Sequence, residues 1–305
     1  MSGDELASGL IQASPLYVLA AILALRARGL ANDGRPVAGW RLALFAAGIA
    51  VAVAADLPPI GTQSEQRLSI HMVQHLLIGD LAAFLIAVAM TGPLLRPILT
   101  LPGLRHLRWL VHPLIAVPLW VLVYYGWHIP ALYQAALRSN LVHASEHATM
   151  LGAGLTLWIG LLGPLPKPEW FGNAAGLAYV VVVRFAGTAI ANAFIWSTTP
   201  FYPTYEAIAR SRGIDAAADQ SIAGAIWMLE GSLVTVGVLA WIFARWMSQG
   251  EATQELVEYA ERLGIELDPA RARRAVAAGY GERLRQRLDE QAAKPPPSSE
   301  RHPPP

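Results

Sequence analysis

Cysteine is absent from the 305 residues. Disulfides, thiolate metal sites and redox dithiols are therefore excluded, and any metal must be held by histidine, methionine or carboxylate. Charge is scarce as well: Asp, Glu, Lys and Arg make up 15% of the chain, against roughly 25% in an ordinary globular domain. Of these 45 residues, 19 lie within 251–305, so the first 250 positions are poorer still. A net charge of +1 offers no basic field for nucleic acid. The N-terminus, Met1-Ser2-Gly3-Asp4-Glu5, is acidic where a signal peptide is basic, so no cleaved targeting segment is expected. What the chain has in quantity is apolar sequence, 54% of its residues. This is the composition of a polytopic membrane protein and not of a large soluble core.

A bilayer crossing needs about 20 mostly apolar residues. Such stretches lie near 10–28, 40–57, 70–92, 109–128, 142–163, 174–197 and 221–246, which predicts an all-α bundle of about seven transmembrane helices. Arg26, Arg28, Arg35 and Arg41 surround the first connection, Arg96, Arg105 and Arg108 crowd the third, Lys167 lies in the fifth, and Arg245 opens a basic tail. The second and fourth connections carry only Arg67 and Arg138, while the sixth has Arg210 and Arg212 with Glu206, Asp215 and Asp219. Positive residues favour the cytoplasmic side, so the C-terminus is expected inside and the N-terminus outside. The expected domains are a transmembrane part, 1–248, a polar cytoplasmic tail, 249–293, and a disordered end, 294–305. Residues 252–263 and 270–291 read as amphipathic helices, and the Pro-rich end as disordered.

Two histidine doublets stand at the starts of apolar stretches: His71 and His75, then His143 and His147 with Met150 beyond. Residues four apart share one helix face; on an ideal helix His143, His147 and Met150 span about 60°. Met72 lies within about 100° of His71. The predicted topology brings both doublets, and His128 at the end of the fourth stretch, to the same outer membrane face. Imidazole suits copper, zinc and iron, thioether sulfur favours Cu(I), and Glu146 could orient a ligating imidazole. The plain alternative is that histidines at helix ends act as polar groups in the wet interface; for Trp127 and His128 it is the aromatic belt.

Asp80, Arg184 and Glu230 sit deep in three stretches, each roughly 15–20 Å from the outer end at 1.5 Å per residue. Buried charges of this kind pair within the bundle; a structural ion network is preferred over a proton path, with Arg184 and Glu230 as the pair. Asp219, before the last stretch, either caps its own helix or adds an oxygen ligand to the outer site.

His71-Met72-Val73-Gln74-His75, Gly92-Pro93, Trp127-His128-Ile129-Pro130 with Tyr133, and His143-Ala144-Ser145-Glu146-His147 together resemble the CtaG-type cytochrome c oxidase assembly factors, multi-span bacterial membrane proteins. The resemblance covers roughly residues 60–246, and Asp219-Gln220 and Gly224 also fit it. It implies a bacterial plasma (inner) membrane protein that assembles a haem–copper oxidase, with oxidase subunits as partners and copper, favoured as Cu(I), as the metal. The residues it implies are His71, His75, His128, His143 and His147, with Asp219 and Gln220. Two departures stand out: Trp227-Met228 reverses the family's usual order, and Glu230 falls where a proline-containing turn is common.

Three functions compete on this reading. The first is a non-enzymatic factor that presents copper at the outer face. The second is a seven-span zinc hydrolase, which needs about three protein ligands, an open water position and a base; the last stretch has no histidine to contribute. The third is a haem protein, with His75 facing His147. Self-association is left open.

Overall fold

The computed structural model describes residues 14–100 and 106–293, apart from the side chains of 14–16 and 97–98. Arg105, the Pro-rich end with His302 and the first residues of the 10–28 stretch lie outside that set. Among the described residues all regular structure is helical. The chain divides between Val236 and Gly237 into two compact units.

The first unit begins with α1 (Ser14–Asn32), α2 (Gly39–Asp56), the single turn α3 (Ile60–Ser64) and α4 (Leu68–Ala89). Then come α5 (Gly92–Thr100), α6 (Leu107–Leu110), α7 (Pro113–Trp127), α8 (Pro130–Arg138) and α9 (Asn140–Leu162). It ends with α10 (Asn173–Trp196), α11 (Pro203–Ser211) and the start of α12 (Ala216–Arg262). Proline opens α7, α8 and α11, where its missing N–H has no intrahelical partner to lose. Between α7 and α8 the axis bends by 69°, because Pro130 pushes Ile129 out of the helical region. His128 sits in that bend.

Four helices are long and apolar enough to cross a membrane: α2, α4, α10 and α12. The bent pair α7–α8 makes a fifth if it is one broken span. Of the seven expected stretches, α1 and α9 fall outside this set. His143, Glu146 and His147 dilute the start of α9, and the first residues of the stretch that holds α1 lie outside the described set. The apolar helices also expose large side chains, such as Phe185 on α10 and Leu229, Leu233 and Val236 on α12. Leu229, Leu233 and Val236 form one helical face, which suits a lipid surface better than water.

Of the single helices that qualify as spans, α4 is the most buried. It is α-helical to Leu76, π-helical over Leu77–Ala82, and α-helical again. At the π segment it meets α9 through glycines. A Cβ on Gly154 would strike the Gly79 carbonyl oxygen, and one on Gly79 would strike the Tyr124 hydroxyl. Small residues at such crossings let helices of a membrane bundle approach closely. The ends of α4 are secured by side chains from far along the chain. Asp219 takes the Leu68 and Ser69 amides at 2.8 and 3.3 Å and the Ser69 hydroxyl at 2.5 Å. Arg41 donates to the Val88 and Met90 carbonyls at 2.7 and 3.1 Å. Both charges complement the helix dipole.

The second unit holds the remainder of α12, α13 (Pro269–Ala277) and α14 (Gly281–Ala292) around Leu256, Leu267, Leu284 and Leu288. The expected helix over 252–263 is the unbroken end of α12. The one expected over 270–291 is two helices, parted where Gly279 takes φ 74°, a conformation that glycine adopts without steric cost.

Candidate metal centre

The α4–α9 crossing sets the two doublets face to face, a turn or two before the glycines. Ring centroids lie 4.3 Å apart for His71 and His75 and 4.2 Å for His143 and His147. Between helices they are 5.2 Å for His71 and His143 and 5.5 Å for His75 and His147. The bend after α7 brings His128 to 5.9 Å from His75. Five histidines from three places in the chain thus form one cluster, and the four of the doublets are buried.

Three of these rings are fixed through Nδ1. His147 Nδ1 lies 2.8 Å from Asp56 Oδ1, and His128 Nδ1 lies 2.6 Å from the Tyr124 carbonyl oxygen. The Tyr124 carbonyl only accepts, so His128 Nδ1 carries the hydrogen and its Nε2 keeps the lone pair; the Asp56 carboxylate beside His147 Nδ1 favours a hydrogen on that nitrogen. Tyr205 donates its one hydrogen to the Ser64 carbonyl at 2.6 Å and lies 2.8 Å from His71 Nδ1. Its oxygen therefore accepts from His71, whose Nε2 is left with its lone pair as well. Burial pushes the Tyr205 hydroxyl well above the usual tyrosine range, so it remains a donor at neutral pH. Histidines that ligate metals are held in this way, with the far nitrogen donating to a carboxylate or carbonyl.

The near sides of the rings converge. His71 Nε2 and His75 Nε2 are 2.8 Å apart, a separation that requires a proton or a cation between two nitrogens. Among the described residues, His128 Nε2 and both ring nitrogens of His147 make no hydrogen bond, the approach of His147 Nδ1 to Asp56 being an ion-pair contact. Glu146 is fully buried and accepts no hydrogen bond at either oxygen; His75 Nε2 is 3.5 Å from Oε1. One ligand atom from each of His71, His143, Glu146 and His147 fits within 4.8 Å of the others. Two ligands about 2.1 Å from one ion are at most about 4.2 Å apart, and about 3.4 Å in a tetrahedral set, so the widest pair must close by at least about 0.6 Å, and by up to about 1.4 Å, for all four to share a single ion. A buried carboxylate without donors, facing imidazole lone pairs, fits a cation in charge and in donor chemistry.

The other expected residues separate into groups. Met72 and Met150 are buried, Met150 beside Gly79. Asp219 caps α4 and not its own helix, whose first amides, Ala217 and Ala218, are taken by Asp215 at 2.9 and 3.2 Å. Gln220 binds the Phe201 amide at 2.8 Å and the Thr199 carbonyl at 3.3 Å, fixing the strand of chain that leads to Tyr202. Asp80, Arg184 and Glu230 line a separate cavity of about 60 Å³ with Trp120, Tyr179 and Trp227. There Arg184 donates to Ser232 Oγ at 2.7 Å and to Met228 Sδ at 2.8 Å. These bonds take the place of the expected Arg184–Glu230 ion pair. Gly231 leaves room for the guanidinium, since a Cβ there would lie 2.8 Å from it.

Sequence reasoning left several wall residues out of the site. Asp56, at the end of α2, is one of them. Tyr133 lies 5.0 Å from His71 and stacks on Tyr202 at 4.0 Å, and the Tyr202 hydroxyl donates to the His128 carbonyl at 3.0 Å. The cluster of Pro200, Phe201, Tyr202, Pro203 and Tyr205 was the available signal.

Fold and site together define an all-helical protein with several helices fit to cross a membrane and a buried histidine–carboxylate nest between them. A sequence model of the cytochrome c oxidase caa3 assembly factor family (Caa3_CtaG) matches residues 16–249. The chain belongs to that family. No curated protein and no solved structure shows significant similarity to it.

Proposed function

We propose that the chain is a non-catalytic membrane factor that binds copper as cargo and presents it to a cytochrome c oxidase during assembly. The family supports the oxidase as client. The observation that carries the copper reading is Glu146, a buried carboxylate with no hydrogen-bond donor, ringed by imidazoles whose lone pairs face inward. In this reading His71, His143, His147 and Glu146 hold the ion, with His75 and His128 beside them for its transfer. Copper, carried as Cu(I), is favoured because the client is a haem–copper oxidase; zinc suits the same nitrogen and oxygen donors. The seven-span topology belongs to this proposal, with α1 and α9 counted as spans, the N-terminus and the cluster on the outer side and the 249–293 tail in the cytoplasm. It rests on the loop charges.

Neither alternative is favoured. The closely packed rings leave no plane for a haem macrocycle, and α12 supplies no histidine to a hydrolase site. Metal analysis of purified protein loaded with Cu(I) under reducing conditions tests the proposal. About one copper per chain is expected in the wild type, and less than a tenth of that in the His143→Ala/His147→Ala variant. Equal copper in both, or none in either, refutes it.

A further inference from the structure

A second site lies away from the histidines. An apolar cavity of about 540 Å³ opens among α1, α4, α7 and α9, lined by such residues as Leu19, Leu23, Met90, Leu119 and Leu155. Its size falls within the roughly 300–1,000 Å³ of small-ligand pockets. It shares the lining residues Leu99, Val111, Ile159 and Leu165 with a neighbouring cavity of about 560 Å³, so the two adjoin. The second cavity differs in chemistry: Arg96, Arg108, Trp109 and His112 line it. No Asp or Glu lines either one. Arg96 and Arg108 are exposed, and among the described residues neither has an ion-pair partner. Trp109, exposed beside Arg108, has the character of an interfacial aromatic.

We propose that these adjoining cavities bind one anionic phospholipid, its acyl chain in the apolar cavity and its phosphate between Arg96 and Arg108. A long apolar slot with a purely basic mouth is complementary to a lipid tail and an anionic head. Basic pockets between membrane helices bind such heads on the side where positive loops collect. Gly152 lines the apolar slot, and a Cβ placed there meets nothing within 4 Å. That open space is where the chain of the lipid runs. The site is independent of the copper reading, because no histidine of the cluster lines it.

The test uses the full chain, purified in mild detergent and transferred to nanodiscs. Native mass spectrometry and lipid titration compare phosphatidylglycerol, phosphatidylcholine and inorganic phosphate. The wild type is expected to retain about one phosphatidylglycerol through washing and to prefer it to phosphatidylcholine. Arg96→Ala/Arg108→Ala should weaken phosphatidylglycerol about thirty-fold, with roughly a factor of five to six from each arginine, and weaken phosphatidylcholine, whose choline offsets the phosphate charge, by less. Gly152→Leu should reduce retention of both lipids. Both variants should keep wild-type copper content, which separates failure here from failure of the copper reading. Equal retention of the two lipids by the wild type, phosphate binding as tight as phosphatidylglycerol, or retention unchanged in the arginine variant would each overturn the proposal. The arginine variant is at the surface and keeps the test valid should Gly152→Leu not fold.

Discussion

Replacing Asp56 with alanine removes the carboxylate that faces His147 Nδ1, without touching a proposed ligand. Asp56 is 4% exposed, and its Oδ1 lies 2.8 Å from His147 Nδ1 as an ion-pair contact and accepts from Gln74 Nε2 at 3.4 Å. Gln74 also donates to the Ala55 carbonyl at 3.0 Å, so it keeps a partner when Asp56 is lost. The damage falls on His147, whose ring can then turn or carry its hydrogen on Nε2, toward the ion. Loss of such an outer partner costs about 10–100-fold in metal affinity, or roughly 1.4–2.7 kcal/mol. Asp56→Asn separates the acceptor from the charge. One amide oxygen can still serve both donors, so the tautomer persists and a smaller loss, up to about tenfold, is expected. Competition with a chromophoric Cu(I) chelator in detergent measures both affinities, and thermal unfolding without copper shows that the fold survives. If Asp56→Ala binds copper within twofold of wild type, Asp56 does not orient His147. If alanine and asparagine lose equally, the charge matters and the acceptor geometry does not.

Two further outcomes follow from the packing. Gly154→Val places side-chain atoms on the Gly79 carbonyl and should destabilise the bundle by at least about 1–3 kcal/mol; an unchanged melting temperature would contradict the close α4–α9 crossing. Asp219→Ala leaves two amides at the start of α4 and the Ser69 hydroxyl without their acceptor. A loss of about 1–3 kcal/mol in stability is expected, with weaker copper binding because His71 lies three residues beyond the first of those amides. Asp215→Ala, which uncaps only the exposed start of α12, should cost less than Asp219→Ala in the same melt, and the reverse order would undo the assignment of the caps.

The histidine doublets could be read in the sequence because four-residue spacing is a property of the helix itself and needs no knowledge of neighbours. A helix stop at Pro130 is likewise local, since proline excludes its neighbour from the helical region, but the continuation of the chain into a second helix at 69° is not. Asp56 could not be read: a single acid ending an alanine-rich helix has no periodic signature, and its partner His147 is far along the chain. Asp219 misled because a carboxylate before a helix has a ready local role, whereas the amides it takes lie about 150 residues away. The π segment was invisible because one extra residue in a turn leaves an apolar run just as apolar. Helix α9 shows the converse limit, since the polar side chains that make a site also erase the hydropathy of the helix that bears them.

With Asp219 on its first amides and Arg41 on its last carbonyls, α4 has almost no axial float. Neither clamp is in the loops that join α4 to its sequence neighbours, so those loops are released from holding it in register. They can change length or composition while His71 and His75 stay at a constant depth. A shift of α2 or of the start of α12, by contrast, would slide both histidines together along the face of α9. The ion would then meet a different set of donors without any ligand having been replaced.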